Sequence, residues 1–343
     1  MTKRLSLGKL PAELLARLLD GLPTSDPRVL VGARPGVDAA AVTIGGRALI
    51  VTSDPITFPN DRAGWYAVNV NANDIAVMGG DPRWLVVTML LPVGIEEAAV
   101  ARIFDDLTRA CVPLGVVLVG GHTEVTYGID RPIISGTMLG EADPDGVITS
   151  AGMRPGDRII VTGGIAIEGT SILAGEARDA LRAAGVSEPV LRRAAGLLTE
   201  PGISVVRAAR TLRDAVPVHA MHDATEGGLA TALREMAEAS AVGITIDAGS
   251  LPVLPETDAV CAALGLDPLG LLASGCLIAA VAAADVEEAM TALDAGRIDA
   301  WIAGGATDAG QGMWLVGPAH RRPWPAFDRD ELARWLKQRP ASR

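Results

Sequence analysis

The chain has 343 residues, of which 30 are Lys or Arg and 41 are Asp or Glu, giving a formal net charge of -11. This acidic balance excludes a typical duplex DNA or RNA binder, because no basic cluster occurs beyond Lys3, Arg4 and the tail. The apolar runs are too short to cross a bilayer, no signal peptide is recognisable, and three scattered cysteines fit a reducing compartment. We therefore expect a cytoplasmic protein that binds neither nucleic acid nor a membrane.

The elements of an N-terminal domain, residues 1–150, follow in chain order. Pro11 and a leucine stripe after it predict a first helix, and Gly45-Gly46 between two apolar runs predicts a β-hairpin. The next elements are a helix at 62–78, a strand at 84–91, a helix at 95–110, and strands at 116–119 and 132–140. Hydrophobic residues make up 49% and aromatic residues only 3%, which favours helices packed on sheets, the α/β class.

A second α/β domain, residues 151–320, is predicted after a turn, a strand and a pair of glycines. Helices dominate from 166 to 212. Further strands are predicted at 218–221, 243–247, 276–281 and 299–303, with a helix at 226–239 and another between the last two strands. A tail, residues 321–343, holds one helix at 328–337, in which Leu332, Trp335 and Leu336 form an apolar face.

Four carboxylates of the N-terminal half have no Lys or Arg beside them. Asp38 lies in a loop, Asp54 and Glu124 lie just past predicted strands, and Asp74 lies inside a helix. Taken singly, each fits a solvated side chain, a helix cap or a turn residue. Taken together, they indicate a magnesium site, because Mg²⁺ prefers carboxylate oxygens and bridges to phosphates.

Two glycine-rich strings precede predicted helices in the C-terminal half. The first, VTGGIAIEGTS, follows a strand and suits anion binding at a helix N-terminus, although it is neither of the standard phosphate-binding motifs. The second, HDATEGGL, is explained either by a helix cap at Asp223 or Thr225 or by a functional loop. A zinc site there is disfavoured, because His219, His222 and Asp223 fall on a short strand rather than on one helical face.

Seven segments of the chain occur in the order found in one superfamily. They are LGKLPAELL, GVDAAAV, TSDPITF, NANDIAVMGG, GGHTEVT, HDATEGGL and LGLDPLGLLASG. Over roughly residues 7–317 the chain resembles the superfamily of aminoimidazole ribonucleotide (AIR) synthetase, selenophosphate synthetase, thiamine-monophosphate kinase and the hydrogenase-maturation factor HypE, with the HypE-like branch nearest. The resemblance implies an N-terminal domain that forms a barrel across a homodimer and a C-terminal α/β domain that closes over the nucleotide.

The resemblance also implies ATP and Mg²⁺ as cofactors and assigns site residues by position. Asp38, Asp54 and Asp74 would hold the metal. Asp223, Glu124 and His122 would act on the phosphate and substrate side. The residues implied to bind the nucleotide are Asn71, Asn73, Gly120, Gly121, Thr123, Gly163, Gly164, Gly227 and Gly228. The implied activity is HypE-like: ATP phosphorylates a carbonyl or amide oxygen of a small-molecule or protein-borne substrate and makes that oxygen a leaving group.

Three departures from the HypE pattern bear on the substrate. The chain ends in QRPASR, where HypE ends in a cysteine that is itself the substrate; Ser274 stands where HypE-like segments carry Glu; and Val37 precedes Asp38 where the family often has a second acid. Two alternatives therefore stay open. One is a small-molecule kinase similar to thiamine-monophosphate kinase, whose product would keep the phosphate. The other is a non-catalytic nucleotide-binding partner in a maturation complex.

Overall fold

The computed structural model describes residues 10, 12–20, 26–34, 36–57 and 62–337. These residues form two compact units. The N-terminal unit contains the described residues of 24–33 and 37–148, and the C-terminal unit contains those of 1–23, 34–36 and 149–343. Helix α1 (Ala12–Leu19), which the leucine stripe predicts, belongs to the C-terminal unit, and its predicted end at Gly21 lies outside the described residues. None of the described helices combines the length and apolar character needed to cross a membrane.

The N-terminal unit is built on a six-stranded sheet. Its elements in chain order are β1 (Val29–Val31), β2 (Ala40–Ile44), β3 (Arg47–Ile56), α2 (Ala63–Val77), β4 (Asp81–Pro92), α3 (Glu97–Leu114), β5 (Val117–Thr126) and β6 (Ile133–Ala142). The strand order is β1-β2-β3-β6-β4-β5, and every neighbouring pair is antiparallel except β4–β5, which is parallel. The predicted hairpin is confirmed: Gly45 and Gly46 both have positive φ, as a two-residue β-hairpin turn requires.

Helix α2 is the central helix of this unit, since it packs against β3 and β6 on one side and α3 on another. Thirteen of its fifteen residues are buried. Two glycines of β6 allow this close approach: a Cβ at Gly136 would lie 2.7 Å from Nδ2 of Asn71, and one at Gly140 would lie 2.2 Å from Ile75. The polar side chains of α2 are therefore placed inside the unit rather than on its surface.

Strand β5 corrects the predicted position of the GGHTE segment. The sequence predicts a strand that ends at the glycines, with Glu124 just past it, but β5 continues from Val117 to Thr126 and pairs with β4 throughout. Gly121 fits because it lies against β4, where a Cβ would come within 2.0 Å of the Val87 carbonyl oxygen. Asp54 is likewise inside a strand, β3, and not beyond its end.

The C-terminal unit is built on a seven-stranded sheet of order β13-β12-β9-β11-β7-β10-β8, with only the β12–β9 pair parallel. Its remaining elements in chain order are β7 (Arg158–Thr162), α4 (Ile167–Glu176), α5 (Arg178–Ala183), α6 (Glu188–Gly196), α7 (Val206–Ala215), β8 (Val218–Ala224), α8 (Gly228–Ala239), β9 (Val242–Asp247), α9 (Pro255–Leu264), β10 (Cys276–Val281), α10 (Val286–Ala295), β11 (Ala300–Asp308), β12 (Met313–Val316), β13 (Arg321–Pro323) and α11 (Glu331–Lys337). The short strands β12 and β13 are absent from the sequence-based prediction.

The tail packs on this unit through apolar side chains. Trp324 is buried and its Nε1 donates a hydrogen bond to the Ala230 carbonyl oxygen at 2.9 Å. Leu332 is also buried, and Trp335 is partly buried against the same core. The predicted tail helix is confirmed, although it begins at Glu331 rather than 328, and Leu336 is exposed instead of forming part of its apolar face.

Candidate active site

Thr52 joins two of the three predicted metal ligands of the N-terminal unit. Its hydroxyl oxygen lies 2.7 Å from Oδ2 of Asp74 and 3.2 Å from the backbone carbonyl oxygen of Asp38. Thr52 and Asp74 are buried, whereas Asp38 is half-buried. The Thr52 hydroxyl, on β3, therefore contacts both Asp74 on α2 and the loop that contains Asp38 and leads into β2.

Asn71 fixes the third acid. Its Oδ1 accepts a hydrogen bond from the backbone N–H of Asp54 at 2.9 Å, and its Nδ2 donates to the carbonyl oxygens of Asp54 at 3.3 Å and Ala67 at 2.8 Å. The Asn71 side chain is fully buried and these bonds occupy it, so it positions Asp54. Asn73, two residues further along α2, is also fully buried.

The three acids therefore lie on adjacent elements that are tied together. Among the described residues, the carboxylate oxygens of Asp38, Asp54 and Asp74 do not all lie within 4.8 Å of one another. This spacing does not form a closed protein cage. A hard cation such as Mg²⁺ that binds a nucleotide takes one or two carboxylates and completes its coordination with water and phosphate oxygens, so it does not require such a cage.

The His122–Glu124 pair lies apart from these acids within one chain. His122 Nε2 is 3.1 Å from Glu124 Oε2, and both side chains are exposed on β5, as is Thr123 between them. In the sheet register Asp54 faces Gly136, which faces Val87, which in turn faces Gly121. Three interstrand steps of about 4.8 Å therefore separate β3 from β5 by roughly 14 Å.

A cavity of about 350 Å³ opens beside this part of β5. Four apolar side chains of β4 and α3 form one wall: Val87, Met89, Phe104 and Leu107. The other wall is residues 118–123, including Gly120 and Gly121. The cavity thus lies under the GGHTE segment and is lined by few polar side chains.

In the C-terminal unit, the loop from β7 to α4 lies against the segment that precedes β10. A Cβ at Gly163 would lie 2.6 Å from the Gly275 carbonyl oxygen, and the N–H of Gly169, in the first turn of α4 after this loop, donates to the Leu272 carbonyl oxygen at 3.0 Å. Gly164 also permits close packing, since a Cβ there would meet Leu254 at 2.8 Å. These glycines allow two loops to come together at one end of the sheet.

The loop from β8 to α8 has its glycine amides already bonded. The Gly227 N–H donates to Oδ2 of Asp330 in the tail at 2.7 Å, and the Gly228 N–H donates to the Thr225 carbonyl oxygen at 3.0 Å. In this conformation neither amide is available to an anion, so the structure does not support phosphate binding by these two N–H groups. Asp223, the next-to-last residue of β8, is buried and lies beside His222, with Nδ1 and Oδ1 4.0 Å apart.

Comparison with known proteins agrees with this architecture. The chain matches the AIR synthase related protein family, with the N-terminal domain over residues 36–142 and the C-terminal domain over residues 154–314. A putative hydrogenase expression/formation protein of Methanocaldococcus jannaschii is 31% identical over 292 residues, covering 83% of this chain and 84% of that protein. The carbamoyl dehydratase HypE of Cupriavidus necator is 33% identical over 270 residues, covering 76% and 73%.

The solved structures agree as well. The crystal structure of a hydrogenase maturation protein HypE in complex with ATP covers 87% of this chain and 92% of that chain, with 25% identity and a TM-score of 0.67. The chain belongs to the AIR synthase-related family. The predictions of this family, of a two-domain α/β fold and of an ATP-dependent enzyme similar to HypE are therefore confirmed.

Glu168 is a buried carboxyl that the sequence-based prediction of the site does not include. Glu168, in the first turn of α4, is 2% exposed and accepts hydrogen bonds from the hydroxyl and N–H groups of Ser274. Burial raises the pKa of its carboxyl to about 7, and burial likewise raises the pKa of Asp330 to about 6. The available signal was the position of Glu168 among apolar residues in the string VTGGIAIEGTS.

The three cysteines are structural in this member of the family. Cys111, Cys261 and Cys276 are all buried free thiols. Burial raises their pKa values to about 11, about 12 and about 12, respectively, so that the reactive thiolate form is scarce at neutral pH. None of them is placed to act as a nucleophile or to carry a reacting group.

Proposed function

We propose that this chain removes the oxygen atom of a carbamoyl or related primary amide group, using ATP to turn that oxygen into phosphate. The observation that carries the proposal is the network of Thr52 and Asn71, which holds three acid-bearing segments together inside the N-terminal unit. Burying polar side chains costs free energy, so a buried network of this kind indicates that these segments must be held in a specific arrangement. The name carbamoyl dehydratase, given to the HypE relative from Cupriavidus necator, indicates the chemistry.

The acids would hold magnesium at the nucleotide phosphates. Asp38, Asp54 and Asp74 would contribute carboxylate oxygens, with Thr52 and Asn71 keeping them in place. Bound there, the metal would neutralise charge on the phosphates during transfer. Asn73 stays a proposed nucleotide-binding residue because it lies on the same helix, one residue before Asp74.

The proposed reaction balances as a dehydration. The amide oxygen attacks the γ-phosphorus of ATP, the bond from that phosphorus to ADP breaks, and an oxygen–phosphorus bond forms. The carbon–oxygen bond then breaks, the oxygen leaves in inorganic phosphate, and the nitrogen loses its two protons to give a nitrile-type group. Phosphorylation thus converts a poor leaving group into a good one.

The carbamoyl group would be carried by another thiol or molecule and not by the three cysteines of this sequence, because all three are buried. A second chain is also part of the proposal. Strand β3, which carries Asp54, and strand β5, which carries the His122–Glu124 pair, are roughly 14 Å apart by strand count in one chain. We infer a homodimer in which β5, an open edge with exposed apolar residues, pairs with its counterpart.

Calorimetry with Mg·ATP and a product assay test this function. Asp54→Asn and Asp74→Asn should each weaken Mg·ATP binding by at least about tenfold, because each removes a charge that faces the metal. Asp130→Asn is the matched control, since Asp130 is an exposed aspartate paired with Arg131. Wild-type affinity in both site variants would reject the metal assignment.

Mass spectrometry of the products separates the remaining alternatives. A nitrile-type product with one phosphate released per ADP supports the dehydratase. A stable phosphorylated product would instead identify a kinase. Tight Mg·ATP binding without turnover on any carboxamide would identify a non-catalytic binding protein.

A further inference from the structure

Glu168 is a buried acid for which the fold alone gives no reason. It lies in the first turn of α4, directly after the loop that contains Gly163 and Gly164. Ser274 donates two hydrogen bonds to it, whereas its Oε2 has no hydrogen-bond partner among the residues that the structure describes. A carboxyl that is 98% buried normally has both oxygens bonded, because an unsatisfied buried oxygen is costly.

The charged groups that face Glu168 are acids. They are Asp223 from β8 and Asp330 from the tail segment before α11. Both oppose ionisation of Glu168, as does burial, and together these effects raise its pKa to about 7. A structural carboxyl would be expected beside an Arg or Lys, which would stabilise its charge.

The partner of Glu168 also argues against a permanently neutral acid. A protonated carboxyl is best placed with its O–H directed at a carbonyl oxygen. Here Ser274 presents a hydroxyl and an N–H, both of which donate to Glu168 and favour its ionised form. Glu168 is thus held between its two protonation states near neutral pH, which suits a group that accepts and returns a proton.

We propose that Glu168 is the proton acceptor of this enzyme and that the Ser274 hydroxyl carries the proton to it from the substrate. The proposal rests on the dehydratase function proposed above. Ser274 stands where HypE-like segments carry Glu, and in this chain a carboxyl reaches the same point from α4. Glu168 therefore supplies a carboxyl beside position 274 from a different element, α4.

The proton transfer follows phosphorylation of the amide oxygen. Once the amide oxygen is bonded to phosphorus, the nitrogen bears a positive charge and its N–H bond is weakened. The nitrogen gives one proton to the Ser274 oxygen while the Ser274 hydroxyl proton moves to Glu168, and the electron pair of the broken N–H bond stays on nitrogen. The second proton leaves with the departing phosphate, and Glu168 returns its proton to solvent before the next turnover.

The test compares wild type, three site variants and one control variant on one probe, a synthetic peptide ending in S-carbamoyl-cysteine, with ADP release followed from pH 5.5 to 9. The variants are Glu168→Gln, Ser274→Ala and the double variant Glu168→Gln/Ser274→Glu. Glu168→Gln should lower kcat by at least about 100-fold, with Kd for Mg·ATP unchanged, because a general base contributes about 10²- to 10⁴-fold. It should also abolish the rise of kcat near pH 7.

The decisive comparison is between the kcat of the double variant and the kcat of Glu168→Gln. The double variant should recover at least about tenfold of the kcat lost in Glu168→Gln, since it restores a carboxyl at the position of Ser274. Ser274→Ala should lower kcat at least about tenfold and retain the fold by thermal melting. Glu288→Gln, on the exposed face of α10, is the control that should leave kcat unchanged.

The outcomes separate this inference from the proposed function. If wild type turns over the peptide and Glu168→Gln keeps the full kcat and the same pH profile, the assignment of Glu168 as the base is rejected. The proposed dehydratase function would then still stand. The same rejection follows if Glu168→Gln fails to fold and the double variant folds without activity. A wild-type protein that binds Mg·ATP but releases no ADP with the peptide would reject the proposed function and the base assignment with it.

Discussion

At the scale of single residues, the molecule places polar side chains where water cannot reach them and gives most of them a defined partner. Thr52 and Asn71 fix the acids of the N-terminal unit, and Ser274 fixes Glu168 in the C-terminal unit. Each of these bonds joins residues far apart in sequence. A buried carboxyl that is not neutralised by a cation has a measurable effect on stability, because its ionisation is coupled to folding.

Glu168 should make wild-type stability depend on pH in a way that Glu168→Gln removes. Its pKa in the folded chain, about 7, lies above the ordinary 4.5, so its contribution is fully present below pH 4.5 and is lost as the pH rises through 7. Between pH 5 and 8, Glu168→Gln should gain up to about 3 kcal/mol relative to wild type, since the shift of 2.5 units corresponds to 1.36 kcal/mol per unit.

Urea unfolding of both proteins at pH 5 and pH 8 measures this difference. Asp330, whose pKa is also raised, titrates in both proteins, and its repulsion by Glu168 is lost in Glu168→Gln, which changes the stability difference in the same direction. Glu288→Gln, an exposed substitution in α10, should run parallel to wild type. Parallel curves for Glu168→Gln and wild type would show that the Glu168 carboxyl is not buried as described.

At the scale of elements, the sequence predicts correctly those helices and turns whose conformation depends on neighbouring residues. The hairpin at Gly45-Gly46 and the helix predicted at 62–78 follow from short-range pattern, and both are confirmed, the helix as Ala63–Val77. The GGHTE segment was predicted wrongly because two glycines usually end a strand, whereas its pairing with β4 comes from residues more than 30 positions away. Glu168 was missed because first-turn glutamates are usually exposed, and its burial depends on a segment about 100 residues downstream.

The two glycines of β5 should respond very differently to alanine. A Cβ at Gly121 would lie 2.0 Å from the Val87 carbonyl oxygen, whereas a Cβ at Gly120 would meet nothing within 4 Å. Gly121→Ala should therefore destabilise the protein by roughly 1–3 kcal/mol through displaced backbone, and Gly120→Ala by much less. Thermal melting of the pair measures this contrast, and equal melting temperatures would mean that β5 does not pair with β4 as the register states.

At the scale of the whole molecule, one edge of the N-terminal sheet is not covered by any other strand that the structure describes. Strand β5 is ten residues long and exposes Val117, Val119 and Val125, next to the exposed Phe104 of α3. Monomeric proteins usually protect such edges with charges, bulges or covering loops. The edge is therefore suited to association with a second copy, which would also bring the His122–Glu124 pair of one chain toward another chain.

Sedimentation velocity at micromolar concentration should show a dimer for wild type and a monomer for the double variant Val119→Lys/Val125→Lys. Two buried charges at a self-complementary interface would repel each other and lose their hydration. Ile44→Lys is the matched control, because Ile44 is equally exposed but lies at the end of β2, away from β5. A wild-type monomer, or a dimer that survives in the double valine variant, would reject the β5 interface.

The burial of helix α2 limits which substitutions this enzyme can accept over evolutionary time. It is buried on nearly all sides, yet it carries Asn71 and Asp74, so the part of the molecule that is proposed to do chemistry is also part of its hydrophobic interior. In most enzymes a stabilising substitution and an active-site substitution fall on different residues. Here they coincide, and replacing Asp74 together with its hydrogen-bond partner Thr52 by aliphatic side chains should give a more heat-resistant protein that has lost its reaction. Any lineage that gave up the activity would therefore be free to gain stability at these same positions.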